Sequence, residues 1–106
     1  MLTSEQADLT ALQQRVGFVL DAGCGGLVCS ASDLATVRAL APDVVTVVPG
    51  IRPAGVGVDD QARPATPTSA IQSGADVLVI GRAVTHAEDP IAAAISIAAE
   101  VAAALN

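Results

Sequence analysis

Val44-Val45-Thr46-Val47-Val48, a run of five β-branched residues near the middle of the chain, decides the fold class. β-branched side chains favour strands. Because the run has no alternation of apolar and polar residues, it predicts a strand buried on both faces, as in a parallel sheet. Two shorter apolar runs, Gly26–Cys29 and Val77–Ile80, predict one strand before it and one strand after it.

Helical patterns separate these strands. Residues 4–22 carry apolar side chains at three- and four-residue spacing, and Thr3 with Gln6 fits a capping box at the start of a helix. Ser30 and Asp33 are candidate caps for a second helix over about residues 32–40. The chain therefore begins as a helix, a strand and a second helix.

Two later helices are marked by a polar cap followed by proline, at Thr66-Pro67 and at Asp89-Pro90. The first of them is expected to end near Ser73 and the second near the end of the chain. A leading helix followed by three strand–helix units predicts one α/β domain with a parallel sheet over residues 1–106. The apolar face of the last helix is expected to consist of Ile91, Ile95, Ala98, Ala102 and Leu105.

The composition excludes several functions. The chain has 106 residues, with 11 acidic residues, five arginines, no lysine and a net charge of −6. Without lysine, the chain itself offers no Schiff-base lysine, lysine general acid or P-loop lysine. An acidic chain whose one aromatic residue is Phe18 is also poorly suited to bind nucleic acid.

No segment predicts membrane insertion or secretion. The longest apolar stretch is interrupted by Ser96 and Glu100, so we expect a buried helix and no membrane span. The first residues lack the basic and apolar regions of a signal peptide. Two cysteines, Cys24 and Cys29, do not make a disulfide framework, so we expect a cytoplasmic protein with reduced thiols.

Two arginines follow predicted strands, and they indicate an anion site. Arg52 comes shortly after the second strand, and Gly81-Arg82 comes directly after the third. Sites in α/β folds form at the carboxyl ends of strands, and a guanidinium can bind phosphate or carboxylate with two parallel hydrogen bonds. The alternative is that either arginine is only a solvated surface charge.

Other polar features favour structural explanations. Asp59-Asp60-Gln61 lies in the long irregular segment Pro49–Ala65, where a solvated loop is favoured over a cation site. His86 has no partner at ligand spacing and is expected on the surface. Cys24 and Cys29 have no second pair, which disfavours zinc, and Cys29 is expected in the core.

Several short motifs follow one another along the chain: Val48-Pro49-Gly50-Ile51-Arg52-Pro53, Asp59-Asp60-Gln61-Ala62-Arg63, Thr66-Pro67, Gly74-Ala75-Asp76-Val77-Leu78-Val79-Ile80-Gly81-Arg82 and Asp89-Pro90. In their order and spacing they resemble the C-terminal part of the orotidine 5′-phosphate decarboxylase family. The resemblance implies a partial (β/α)8 TIM barrel, in which the three strands are the sixth, seventh and eighth of the barrel.

The resemblance also implies a substrate site. Gly81 and Arg82 would bind the 5′-phosphate of orotidine 5′-phosphate or of the product UMP. Gln61 would bridge the phosphate and the pyrimidine, Arg52 would make a further nucleotide contact, and Thr3 would contact the base. The implied activity is that of a carboxy-lyase of pyrimidine biosynthesis, with neither a metal nor an organic cofactor.

The family's catalysis rests on an Asp-x-Lys-x-x-Asp motif and another lysine, which this sequence does not contain. We therefore expect no catalytic residue in this chain, which would be a fragment carrying the phosphate side of the barrel. One alternative is an inactive module that binds the nucleotide phosphate. Another is an assembly role, in which the chain forms a homodimer or pairs with an N-terminal barrel part. A related sugar-phosphate enzyme is disfavoured by Ile51-Arg52-Pro53 and Asp60-Gln61.

Overall fold

The structure, a computed structural model, describes residues 4–53 and 65–106. Within these ranges, no helix combines the length and the apolar character that crossing a bilayer requires. The elements in chain order are α1 (Ser4–Asp21), β1 (Gly26–Val28), a 3-10 turn (Ala31–Asp33), α2 (Leu34–Leu40), β2 (Val45–Val48), α3 (Pro67–Gln72), β3 (Val77–Leu78), α4 (Arg82–Thr85) and α5 (Pro90–Ala104).

The three strands form one parallel sheet in the order β1-β2-β3, which confirms the predicted α/β architecture. Val47 of the central strand is in register with Val28 on one side and Val77 on the other. The ladder continues beyond β3, since the N–H of Val79 donates to the carbonyl of Val48 at 2.9 Å. The extent of the domain over residues 1–106 and the numbering of the strands within a barrel stay predictions.

One face of the sheet is covered by helices and contributes to the core. Thr46 and Val48, which alternate with the other residues of β2, are fully buried on this face. Leu34 and Val37 of α2 are also fully buried and belong to the same core. The other buried members of this core are Val16, Cys29, Ala41, Val44, Ile51, Ala70 and Ala75.

The opposite face of the sheet is uncovered in the described chain, so the expectation that β2 is buried on both faces is wrong. Val45 is 47% exposed, and Val28 is 70% exposed. The physical reason is that a strand's second face is buried only when another layer packs on it, and the helices of the described residues cover one side. We call this surface the valine face; it consists of Val28, Val45, Val47, Val77 and Val79.

The helix-start predictions have different outcomes. Thr66 caps α3 in a full capping box: its hydroxyl accepts from the N–H of Ser69 at 3.0 Å, and its own N–H donates to the Ser69 hydroxyl at 3.1 Å. Asp89 caps α5 by accepting from the N–H of Ala92. The predicted caps Ser30 and Asp33 make no side-chain cap bond. Ser30 instead shares a hydrogen bond with Ser32, and the segment starts as a 3-10 turn.

The apolar face expected for α5 is wrong. Ile91, Ile95 and Leu105 are 65–74% exposed, whereas Ile97 is buried. Because apolar residues surround this helix, with Ser96 and Glu100 as the exceptions, residue spacing does not select one face. Glu100 lies on the packed side, where its carboxylate accepts from Thr68 of α3.

A polar cluster around Arg38 joins β2 and β3 at the amino end of the sheet. The Arg38 guanidinium donates to the carbonyls of Val44 and Gly74 at 2.8 and 2.6 Å. It also donates to the Thr46 hydroxyl at 2.9 Å and to the Asp76 carboxylate at 2.8 Å. The backbone N–H of Thr46 and the Arg38 guanidinium both donate to this carboxylate, so they hold the pKa of Asp76 below its usual range.

Candidate anion site

A cavity of about 200 Å³ lies at the carboxyl ends of β2 and β3. Parallel strands end at the same edge of a sheet, so the segments that follow β2 and β3 meet there. The structure thus brings Arg52 and Arg82 to one cavity, together with Gly81. The complete lining is Gly50, Ile51, Arg52, Val79, Gly81, Arg82 and Ala83.

The turn after β2 places Arg52 at this cavity. Gly50 has a φ of +76°, a conformation that L side chains rarely adopt and glycine adopts freely. This turn leads to Ile51, whose side chain is buried in the core. Arg52 follows and is only 9% exposed. The alternative that Arg52 is merely a solvated surface charge is therefore wrong.

The backbone of Arg52 is held by the segment that begins α3. Its N–H donates to the carbonyl of Ala65 at 2.8 Å, and Ile51 pairs with Ala65 in a parallel bridge. Ala65 directly precedes Thr66, the cap of α3. The segment that follows β2 and the segment that precedes α3 are thereby joined beside the cavity. Residue patterns could not have identified this contact, because both groups belong to the backbone.

Gly81 directly precedes the short helix α4, and Arg82 is its first residue. The sequence did not predict this helix, because four residues are too few to show helical periodicity. The Gly81 carbonyl accepts from the N–H groups of Val84 and Thr85. Open space lies where a side chain at position 81 would begin. Arg82 is exposed, in contrast to the buried Arg52. One arginine is thus part of the packed structure, and the other faces solvent at the same cavity.

The charges at this cavity favour an anion. Two guanidinium groups line it, and none of its described lining residues is acidic. Each guanidinium can present two parallel N–H donors to a phosphate or a carboxylate. A larger cavity of about 410 Å³, between β3 and α5, has an apolar lining apart from Asp76. Its chemistry does not suit an anion, so we take the arginine cavity as the candidate site.

Two other residues that the family resemblance assigns to the site, Thr3 and Gln61, lie outside the described residues, as do Asp59 and Asp60. His86 is exposed after α4, as predicted. Cys24 is also exposed. Within residues 4–53 and 65–106, no cluster of three or more His, Cys, Asp or Glu residues is placed to hold a metal ion.

Cys29 is in the core, as predicted. Burial, and after it the negative charge of Asp33, raises the pKa of its thiol, so the thiol stays protonated at neutral pH. Cys29 is therefore a small apolar core residue and lies outside the lining of the arginine cavity.

Comparisons with known proteins agree on one family. Residues 3–97 match the model of the family described as orotidine 5′-phosphate decarboxylase / HUMPS. The orotidine 5′-phosphate decarboxylase of Thermobifida fusca (strain YX) is 50% identical over 92 residues, which are 86% of this chain and 40% of that protein. The enzyme of the same name from Methylobacterium sp. (strain 4-46) is 52% identical over 97 residues, 91% of this chain and 40% of that protein.

A solved structure agrees with these sequence matches. The crystal structure of orotidine 5′-phosphate decarboxylase from Lactobacillus acidophilus superposes with a TM-score of 0.72 at 29% identity. The match covers 88% of this chain and 37% of that chain. The present chain thus spans about 40% of the length of these relatives.

Proposed function

The chain belongs to the orotidine 5′-phosphate decarboxylase / HUMPS family, and from this premise we propose that it is the nucleotide-phosphate-binding part of an orotidine 5′-phosphate decarboxylase. The complete enzyme would convert orotidine 5′-phosphate to UMP and carbon dioxide in pyrimidine biosynthesis. The observation that carries the proposal is that Arg52 and Arg82 line one cavity at the carboxyl edge of a parallel sheet. In barrels of this kind, phosphate commonly binds in the loops after the seventh and eighth strands.

Each site residue has a proposed role. The exposed Arg82 binds two oxygens of the 5′-phosphate, and Gly81, which has no side chain, lets the phosphate approach the backbone. The buried Arg52 supplies a second positive charge in surroundings where water screens it less. Gln61 and Thr3 keep the roles implied by the family resemblance, toward the phosphate and the pyrimidine for Gln61 and toward the base for Thr3.

These residues would contribute binding, while the proton would come from elsewhere. Loss of carbon dioxide from orotidine 5′-phosphate leaves a carbanion on the pyrimidine that must take up a proton. Arginine does not lose its proton in proteins, so neither arginine of the cavity is a suitable acid. The family's lysine would supply the proton, and this chain has no lysine. We therefore assign the catalytic step to the Asp-x-Lys-x-x-Asp part of a complete barrel.

Titration calorimetry with UMP, and with uridine as the phosphate-free control, tests the binding role. We expect UMP to bind and uridine to bind far more weakly, because the proposed contacts are to the phosphate. Absence of UMP binding at millimolar concentrations would refute the proposed site.

A decarboxylation assay tests the division of roles. We expect no turnover of orotidine 5′-phosphate by these 106 residues alone. We expect turnover after addition of an N-terminal barrel part, prepared from a relative, that carries the Asp-x-Lys-x-x-Asp motif. Turnover by the chain alone would contradict the assignment of the proton donor to a lysine.

The valine face favours a second candidate function, which is assembly. All-parallel sheets normally have both faces covered, and here four valines that are 46–70% exposed lie on one face. β1 and β3 each pair on one side within the described residues, so their outer edges can accept another strand. An N-terminal barrel part or a second copy of the chain would cover this face. Analytical ultracentrifugation that finds a stable monomer at all concentrations, with no association on addition of the N-terminal part, would refute this role.

A further inference from the structure

We infer that Glu100, on the last helix and outside the lining of the arginine cavity, is a positioning residue that holds Arg52 in place. This inference rests on the proposed function, because that function gives the arginine cavity its ligand. It adds a residue on α5 that the phosphate site requires and that does not itself touch the phosphate. A chain of hydrogen bonds runs from α5 through the start of α3 to Arg52.

The first link joins α5 to α3. One carboxylate oxygen of Glu100, Oε2, accepts from the backbone N–H of Thr68 at 3.2 Å and from its hydroxyl at 3.1 Å. Glu100 is the only charged residue between Pro90 and Ala104, and it lies on the packed side of the helix. A partly buried carboxylate is stable there only when donors replace the water it has lost, and Thr68 supplies two.

The second link runs along the first turn of α3. The Thr66–Ser69 capping box fixes the backbone at the start of this helix on either side of Thr68. Pro67, which is buried, restricts the same turn further because its ring fixes φ. A constraint applied at Thr68 is therefore transmitted to Ala65, which directly precedes the cap.

The third link reaches the cavity. The carbonyl of Ala65 accepts from the N–H of Arg52 at 2.8 Å, and the Ile51–Ala65 bridge sets the register. Without a fixed Ala65, the backbone at Arg52 loses this partner after β2. Glu100 thus acts on the orientation of the buried guanidinium through the backbone of Ala65.

Amide hydrogen exchange measured by NMR tests the inference directly. The readout is a ratio, the protection factor of the Arg52 amide divided by that of the Val79 amide. Val79 lines the same cavity, and its N–H donates to the carbonyl of Val48. Global destabilisation changes both amides together and leaves this ratio unchanged. In E100A the ratio should fall about tenfold, the size expected when a hydrogen-bond pair to a charged acceptor is lost. In E100Q it should stay near the wild-type value, because the amide oxygen can still accept from Thr68.

D89A is the matched control. The Asp89 carboxylate also accepts from a backbone N–H, but that N–H belongs to Ala92 of α5, so the contact lies within one helix. D89A should lower the melting temperature and leave the Arg52/Val79 ratio unchanged. If E100A does not fold, T68V, which removes only the hydroxyl donor, should lower the ratio in the same direction by a smaller factor. An unchanged ratio in whichever of E100A and T68V folds would overturn the inference.

The affinity for UMP then separates this inference from the proposed function. We expect E100A to bind UMP several-fold more weakly than D89A does, and E100Q to restore the affinity. If the wild-type chain does not bind UMP, the proposed function fails, while the exchange ratio still decides whether Glu100 positions Arg52. If UMP binds and E100A binds it as tightly as D89A does, the positioning of Arg52 does not affect the ligand and the inference is wrong.

Discussion

Arg38 and Asp76 form an ion pair across the amino end of the sheet, with 2.8 Å between Nη2 and Oδ2. Arg38 belongs to α2, and Asp76 directly precedes β3. The same guanidinium bonds the Thr46 hydroxyl of β2, so one side chain connects three elements. The arginine cavity is at the opposite, carboxyl end of these strands, and therefore the two ends can be tested separately.

Replacement of Arg38 by alanine should destabilise the fold. The variant leaves the carbonyls of Val44 and Gly74 and the carboxylate of Asp76 without a shared donor. Because the arginine is partly exposed, we expect a loss of about 2 kcal/mol in the free energy of unfolding, toward the lower end for hydrogen bonds to charged groups. Urea denaturation measures it. Arg15→Ala, at an exposed position of α1, is the control and should change stability by less than about 0.5 kcal/mol; equal losses would contradict the role of the cluster.

Acid should weaken the fold through Asp76. The folded state lowers the pKa of the Asp76 carboxyl. The stability that this carboxylate contributes is therefore fully present above its pKa in the unfolded chain, about 3.9, and is lost as the pH falls through its pKa in the folded protein. We expect the melting temperature to decline below about pH 4 for this reason. Asp76→Asn should melt at a lower temperature at neutral pH and decline less steeply in acid. Parallel melting curves for the two proteins between pH 6 and pH 3 would exclude Asp76 as the cause.

Two neighbouring glycines should respond differently to alanine. A Cβ at Gly26 would lie 2.9 Å from the backbone carbonyl oxygen of Val45, which the sheet holds in place, whereas one at Gly25 would meet open space. Gly26→Ala should therefore force β1 away from β2 and cost about 1–3 kcal/mol. Gly25→Ala should be nearly neutral. Urea denaturation of both variants gives the comparison, and equal effects would show that the strands can separate at this point without cost.

The two arginines of the cavity should be distinguishable by stability and affinity. Arg82→Ala should weaken UMP binding about tenfold or more and leave the melting temperature unchanged, since Arg82 is exposed. Arg52→Ala should lower both the affinity for UMP and the melting temperature, because this side chain is only 9% exposed and is packed in the structure. Calorimetry and thermal melts measure the two quantities. If Arg82→Ala has the same affinity as the Arg15→Ala control, the phosphate assignment fails.

Substitutions on the valine face should alter association more than folding. Val28→Thr combined with Val79→Thr adds two hydroxyl groups at positions that are 70% and 47% exposed. We expect weaker self-association, or weaker pairing with an N-terminal barrel part, by sedimentation velocity, because less apolar area is removed from water. Ile91→Thr is the control, since Ile91 is 74% exposed on α5. An equal change in association for Ile91→Thr would show that the valine face is not the contact surface.

Much of the architecture could be predicted from local patterns. A β-branched run predicted β2, because side-chain branching favours extended backbone, and two shorter apolar runs predicted β1 and β3. Thr66-Pro67 and Asp89-Pro90 predicted two helix starts because a cap oxygen and a fixed φ act within one turn. The position of Arg52 and Arg82 after neighbouring strands predicted that they would lie near each other. The candidate site was accessible to sequence reasoning to that extent.

The remaining features depend on contacts between distant segments. α5 carries apolar residues all around its axis, so its sequence could not select Ile97 as the buried residue. The carbonyl that holds Arg52 belongs to Ala65, whose side chain carries no chemical signal. Glu100 looked like an interruption of an apolar stretch, and its partner Thr68 lies 32 residues away.

The sequence by itself determined the order of the three strands and of the four longer helices, the family and the presence of two arginines after strands, because backbone preferences and capping act over a few residues. Only the tertiary structure decided that β2 is covered on one face, that Arg52 is buried while Arg82 is exposed, and that Glu100 is tied to the start of α3. Burial depends on which distant segments pack together, and the five valines of β2 and its neighbours have the same preference for a strand whether or not a second layer covers them.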